Sequence, residues 1–367
     1  MIKLFPGIFI FLFLLSGMGR GTETFAHLVT TIAIACLSLS LLRTKRKLAT
    51  PPGFGYLVTF NAILFISILW TENVVGSVIF NLIFLEASFF YFWAYNFFEK
   101  GNFRLAGYVL VPTTLYTIFH VFSLITGLDL YFFFSHFYDI QNKTGHFHLG
   151  DMLALSGIVF AYLFLDRKRF VYPFFVLAVL FLMSQMFSRS AFLTLGSGVV
   201  FFTTYKKGLG RTFLITLMVT SLVAFVALSQ DKSVLFQRPY FVQSILGFFE
   251  RPQGYGMGNF GLVSTNFTTG IAGYSDFSTY THNIFLEILT GIGVFSLPFF
   301  LWFYKNAKIV LVSGVPEVLL PGALFIALTV NFLFDMSYTI SGLVWFWFYF
   351  LGVVVGGANK RSSSSSP

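Results

Sequence analysis

Val78-Ile-Phe-Asn-Leu-Ile-Phe-Leu-Glu-Ala-Ser-Phe-Phe-Tyr-Phe-Trp-Ala-Tyr-Asn-Phe-Phe98 carries one charged residue, Glu86, in an otherwise apolar and aromatic run. A helix needs about 20 mainly apolar residues to cross a bilayer, and this run supplies them. Stretches of the same kind recur at Leu4–Met18, Phe25–Leu42, Phe54–Trp70, Leu105–Thr126, Leu149–Leu165 and Phe170–Phe187. They continue at Ser190–Tyr205, Thr212–Leu228, Asn283–Tyr304, Val315–Phe334 and Ile340–Gly356. The expectation is an all-α polytopic membrane protein of about twelve transmembrane helices. Leu4–Met18 is short enough for the apolar part of a signal peptide. The lack of an obvious small-residue cleavage site favours a retained helix.

Composition leads to the same class. Hydrophobic residues make up 56% of the 367, charged residues 10%, and the mean hydropathy is +0.81. A soluble domain carries about 25% charged residues, so this chain cannot clothe a globule of its size in polar side chains. The 53 Phe residues are tolerated in hydrocarbon. Cys36 is the single cysteine, which excludes an internal disulfide and a cysteine metal cluster.

The net charge of +9 does not indicate nucleic acid, because the basic residues lie in short runs between apolar stretches. Threading the spans from a cytoplasmic N-terminus puts Lys3, Arg43, Lys45–Lys47, Lys100, Arg104 and Arg167–Arg169 inside. Lys206, Lys207, Arg211, Lys305, Lys308, Lys360 and Arg361 fall on the same side. Arg20, Lys143, Arg189, Lys232, Arg238 and Arg251 remain outside. The positive-inside bias therefore predicts both termini in the cytoplasm.

Two outside segments exceed simple turns: Asp129–His148 and the far more polar Gln230–His282. Loops longer than about 12–15 residues are usually functional or disordered. The second contains Gly254-Tyr-Gly-Met-Gly-Asn259 and aromatic residues able to pack a small lid, so we read it as the functional loop. The glycine spacing is no nucleotide fingerprint, since no strand–turn–helix context surrounds it. No internal repeat is visible, which gives little support to a transporter built from inverted repeats.

Candidate chemistry gathers on the outer side. Arg189, in Phe187-Ser-Arg-Ser-Ala191, sits between two apolar runs with almost no loop around it. It reads either as a charge facing a polar cavity or as a snorkelling arginine at an ordinary turn. Arg238 and Arg251 could join it in a clamp for diphosphate oxygens, or stand as solvated loop charges. Arg251, between Glu250 and Pro252, is the more structural of the two. His282 stands where the polar loop ends and an apolar helix starts. It reads as a general base titrating near neutral pH or as an interfacial residue flanking a helix. Asn283 and Glu287, four apart, share one helix face. Glu86, inside a span, is a proton-relay candidate or a neutral hydrogen-bonded group. His146 and His148 lack the ligand set of a metal site. Asp151 and Asp335, near helix ends, read as ordinary solvated carboxylates.

Phe187-Ser-Arg-Ser-Ala191 is similar to the arginine motif of the O-antigen ligase/polymerase family. Arg238-Pro-Tyr-Phe-Val-Gln243 and Pro252-Gln-Gly-Tyr-Gly-Met-Gly-Asn-Phe260 resemble that family's large extracytoplasmic loop. His282-Asn-Ile-Phe-Leu-Glu-Ile-Leu-Thr-Gly-Ile-Gly-Val294 resembles its histidine-asparagine helix start. Order and spacing agree over roughly residues 150–305 of the chain. The resemblance implies a GT-C-like division: N-terminal membrane helices over 1–148, a core over 149–305 with its loop at 230–282, further helices over 306–357 and a disordered cytoplasmic tail over 358–367. It also implies a bacterial inner-membrane glycosyltransferase of cell-surface polysaccharide synthesis. Such an enzyme moves a glycan from a polyprenyl diphosphate carrier to a lipid or glycan acceptor, outside the membrane, with no cofactor and no metal. Arg189 and Arg238 would bind the diphosphate and His282 would orient or deprotonate the acceptor hydroxyl. Arg251, Asn283 and Tyr255 would line the substrate site. The compact loop leaves ligase and polymerase unseparated, and a lipid-linked sugar flippase is the rival class.

Overall fold

The long apolar runs become helices because a backbone removed from water must satisfy its own N–H and C=O groups, and a helix does so within one segment. The computed structural model describes residues 20–44, 48–97, 102–126, 146–185, 189–205, 239–267, 277–312, 316–335, 337–339 and 341–364. Among these residues the chain is helical throughout its regular elements, with no strand. In chain order they are α1 (Arg20–Thr44), α2 (Phe54–Ile66, extended by a 3-10 turn to Trp70), α3 (Val74–Phe97) and α4 (Asn102–Thr126). Next come α5 (His146–Arg167), α6 (Val171–Gln185), α7 (Arg189–Tyr205), α8 (Pro239–Glu250) and α9 (Phe260–Asn266). Then follow α10 (Ile284–Ile292), α11 (Leu297–Val312), α12 (Leu319–Phe334) and α13 (Ser341–Ser364).

Every predicted apolar stretch that falls on described residues is helical there; Leu4–Met18 and Thr212–Leu228 lie outside them. Among the described residues, five stretches are long and apolar enough to cross a membrane: Val74–Phe97, Leu149–Arg167, Ile284–Val312, Pro316–Phe334 and Ser341–Asn359. Shorter apolar helices stand beside them, so the chain reads as membrane-embedded. Most of the segment 129–148 also lies outside the described residues. The expected span Asn283–Tyr304 coincides largely with the candidate span Ile284–Val312, whose helix is broken into α10 and α11 by a 3-10 turn at Gly293–Ser296.

Among the described helices, the most extensive packing joins α3 to α13. Gly352 and Gly356 of α13 face the backbone of Tyr91 and Tyr95 in α3, and a Cβ at Gly356 would lie 2.6 Å from the Tyr95 carbonyl oxygen. Small residues four apart let helix backbones approach closely where lipid supplies no hydrophobic drive for association. Aromatic rings fill the adjoining core: Trp347 stacks on Phe325, Trp302 on Phe348, and Phe299 on Phe303.

Polar links tie the helices inside this core. Tyr91 donates to Asn306 Oδ1 at 2.8 Å, and Asn306 Nδ2 donates to the Pro52 carbonyl at 3.2 Å. Glu86 is buried and does not stand alone, for its Oε2 lies 2.7 Å from His27 Nδ1 of α1. His27 Nε2 is 3.0 Å from Ser341 Oγ, at the start of α13. One cluster thus joins α1, α3 and α13. Removing one partner of such a buried hydrogen-bonded pair costs about 1–3 kcal/mol, because the other group is left unsatisfied.

Candidate functional site

One end of the bundle collects the starts of α3, α5, α7, α10 and α13 and the end of α12, and the Gly254–Asn259 stretch is seated there. Gly254, Gly256 and Gly258 all have positive φ, at 88°, 88° and 70°. Their regular spacing therefore has a local cause: every second residue adopts a conformation that a β-carbon disfavours. The resulting path lets the stretch hydrogen-bond across the helix break. Tyr255 N donates to Thr290 O at 3.0 Å, Gly256 N to Gly291 O at 2.7 Å, and Val294 N to Pro252 O at 2.8 Å. A helix break leaves backbone groups without intrahelical partners, and these bonds satisfy them.

The other side of the stretch grips the start of α3. Ser77 Oγ donates to Met257 O at 2.6 Å, and Asn73 N donates to Asn259 Oδ1 at 2.9 Å. Buried Asn259 also donates through Nδ2 to Thr71 Oγ1. The glycine stretch of the expected functional loop is thus pinned on both faces. Tyr255 is buried with its hydroxyl donating to Glu250 Oε2, and burial followed by the Glu250 contact pushes its phenol pKa up. Arg251 lies over the Tyr255 ring, 5.2 Å from its centroid, and donates to Trp70 O at 3.2 Å. Arg251 and Tyr255 therefore brace the loop root.

His282 stands at the junction of loop and helix with φ of 56°, a left-handed conformation uncommon outside glycine. Its neighbours hold the turn from both sides. Asn283 caps α10, its Oδ1 accepting from Phe285 N at 2.9 Å and Leu286 N at 3.1 Å. Thr281 Oγ1 donates to Asn283 O at 2.6 Å, and Thr281 N donates to Glu287 Oε2 at 3.0 Å. Tyr338 donates to the same Glu287 oxygen at 3.1 Å. The face shared by Asn283 and Glu287 is thus a scaffold for the residue between Thr281 and Asn283. The half-buried imidazole stacks on Tyr240 of α8, with centroids 5.1 Å apart and planes inclined by 17°.

The α12 terminus connects this turn to the start of α7. Asn283 Nδ2 donates to Leu333 O at 3.2 Å, while Ser190 Oγ donates to Asp335 Oδ2. Leu333 and Asp335 flank the end of α12, so the chain at His282 and the chain at Arg189 meet its last turn on the same end of the bundle. Arg189 is the first residue of α7. Its side chain lies outside the described part of the structure, as does the whole of Arg238, which precedes Pro239 at the start of α8.

No protein-family model matches this chain, and no curated protein matches its sequence.

Several residues of the site were not legible in sequence. Asp151 and Asp335 are buried, not solvated. Asn331 donates to Asp151 Oδ1 at 2.6 Å and to Thr194 Oγ1 at 3.1 Å, and Asp335 accepts from Ser190. Their partners come from distant elements, so no local pattern announces their burial. Tyr240 lies within a motif chosen for its arginine, and Tyr338 sits in a short turn with no motif. Glu86 was legible as an intramembrane carboxylate, but His27 was not. Among the described residues, no three His, Cys, Asp or Glu side chains converge as metal ligands.

Proposed function

We propose that this protein is a membrane glycosyltransferase that moves a glycan from a polyprenyl diphosphate carrier to an acceptor hydroxyl at the outer face of a bacterial cytoplasmic membrane. Its ligase form would attach glycan to a lipid acceptor, and a polymerase form would extend a carrier-linked repeat. The observation that carries the reading is the His282 turn. An imidazole is held in a strained backbone conformation by a capped helix and a buried carboxylate, beside the helix end that also meets the start of α7. Strain of this kind persists where the surrounding structure over-determines it, and it clusters at functional sites.

In the proposed step the acceptor oxygen bonds to the anomeric carbon while that carbon's bond to the diphosphate oxygen breaks. The electron pair leaves with the polyprenyl diphosphate, and the acceptor proton passes to His282. Arg189 and Arg238 stabilise the charge that develops on the leaving diphosphate, where fixed guanidinium groups act most strongly in the transition state. Arginine suits this task through its planar fork of donors.

A transporter of the same lipid-linked glycan is the second reading, favoured by the buried His27–Glu86 pair. Ionisable groups inside a bundle mark ion and proton paths in transporters. The two readings separate in reconstituted protein assayed for both glycan transfer and transbilayer movement. The transferase reading expects Arg189→Ala and His282→Ala each to lower transfer by about 100-fold or more, the scale of a lost general base or charge stabiliser. Arg189→Lys should also be impaired. No transfer by the parent protein, with transbilayer movement that is lost in Glu86→Gln, would instead favour the transporter.

A further inference from the structure

α8 is built inside out for a helix in water. Val242, Ile245, Leu246 and Phe249, at helical spacing i, i+3, i+4 and i+7, are 45%, 47%, 42% and 72% exposed. The opposite face carries Gln243 and Ser244, both fully buried, and Gly247. Gln243 Nε2 donates to Phe267 O at 2.6 Å, which ties that polar face to the end of α9. A Cβ at Gly247 would lie 2.6 Å from Val263 Cγ1, so the two helices touch there. A helix of a water-exposed loop would turn the stripe inward, since burying each such side chain is worth about 1.5–3 kcal/mol.

The stripe leads onto the apolar exterior of the bundle. Val294, Phe295 and Leu297, at the junction of α10 and α11, are exposed, and so is Leu69 beside α3. Pro252, two residues beyond α8, accepts from Val294 N, and Arg251 donates to Trp70 O. The Trp70 ring lies 6.3 Å from that of Phe295. Exposed apolar side chains therefore stand on α8 and, beyond the Pro252–Val294 contact, around the break inside the candidate span Ile284–Val312. The seam holds Trp70 and Arg251, side chains of the kinds that anchor at a membrane–water boundary. α8 spans only about 18 Å at 1.5 Å per residue, too short to cross about 30 Å of hydrocarbon but suited to lying along its surface.

We infer that α8 is an interfacial helix, immersed in one leaflet of the bilayer through Val242, Ile245, Leu246 and Phe249. Its partner is the phospholipid surface itself, reached as a continuation of the lipid-facing belt of α10 and α11. Tyr240, on the same helix, stacks on His282, so immersion of α8 sets the imidazole at headgroup level. The inference stands whether the bundle transfers glycans or transports them.

The test uses the full chain with Cys36→Ser, reconstituted in phosphatidylethanolamine–phosphatidylglycerol vesicles. A nitroxide is placed singly at Ile245→Cys, Phe249→Cys and, as the solvent-facing control, Thr265→Cys. Collision with oxygen and with a water-soluble nickel chelate is measured for each. Immersion predicts oxygen contact several-fold above nickel contact at 245 and 249, and the reverse at 265. Two results overturn it: nickel contact at 245 and 249 equal to that at 265, or protection from both reagents with spin–spin broadening, which assigns the stripe to a second copy. Comparing two labels on the outward stripe guards against one misfolded variant deciding the outcome.

Discussion

His282 occupies a backbone region that a β-carbon disfavours by roughly 1–2 kcal/mol, and nearby side chains hold it there. Asn283 caps the following helix, Thr281 bridges to Asn283, and Glu287 reaches back to Thr281. Replacement separates the backbone from the imidazole. His282→Gly relieves the strain while losing the stack on Tyr240; His282→Ala loses the stack and keeps the strain. Thermal unfolding of the purified variants should therefore rank His282→Gly at or above His282→Ala, by about 1 kcal/mol, with neither supporting transfer. The opposite ranking would mean that the left-handed conformation is not a constraint on this turn.

At the scale of elements, the informative unit is the break between α10 and α11 with the glycine stretch inserted against it. Gly293 has φ of 57°, and a Cβ there would overlap the Pro252 carbonyl oxygen. Gly293→Ala should accordingly destabilise the protein by about 3 kcal/mol, read from thermal unfolding in detergent. Unchanged unfolding would show that the Pro252–Val294 contact is dispensable. This element also marks how far sequence reading reached. Hydropathy exposed the helices, because lipid demands long apolar runs and such runs are local. It found the span at Asn283–Tyr304 but not the break within it, because the break is held by backbone bonds to residues some forty positions earlier. The glycines at 254, 256 and 258 were visible as a functional stretch, but their docking on Thr290, Gly291 and Ser77 was not. The same distance effect hid the burial of Asp151 and Asp335, whose partners Asn331 and Ser190 lie on other helices. His282 and Asn283 were legible because the switch from polar loop to apolar helix is written in adjacent residues. The inverted amphipathicity of α8 was also present in the sequence, at 242, 245, 246 and 249; assigning its outward face needed Gln243 and Ser244 to be seen buried.

At the scale of the whole molecule, a tightly seamed apolar bundle presents a polar, strained end. The α3–α13 seam and the aromatic core give rigidity, and the His27–Glu86–Ser341 cluster anchors the start of α13 only three residues beyond Tyr338. Tyr338 in turn holds the Glu287 oxygen that braces Thr281. Rigid support of this kind is what a positioned general base requires, since small displacements of reacting groups cost large factors in rate. The most direct measurement uses the purified protein in phospholipid nanodiscs with a polyprenyl-diphosphate-linked glycan and an acceptor, in the presence of a chelator. The account predicts glycan on the acceptor and stoichiometric release of polyprenyl diphosphate by the parent protein, with neither product from His282→Ala. Equal product from both proteins, or a carrier-linked glycan that stays intact while crossing the bilayer, would contradict it.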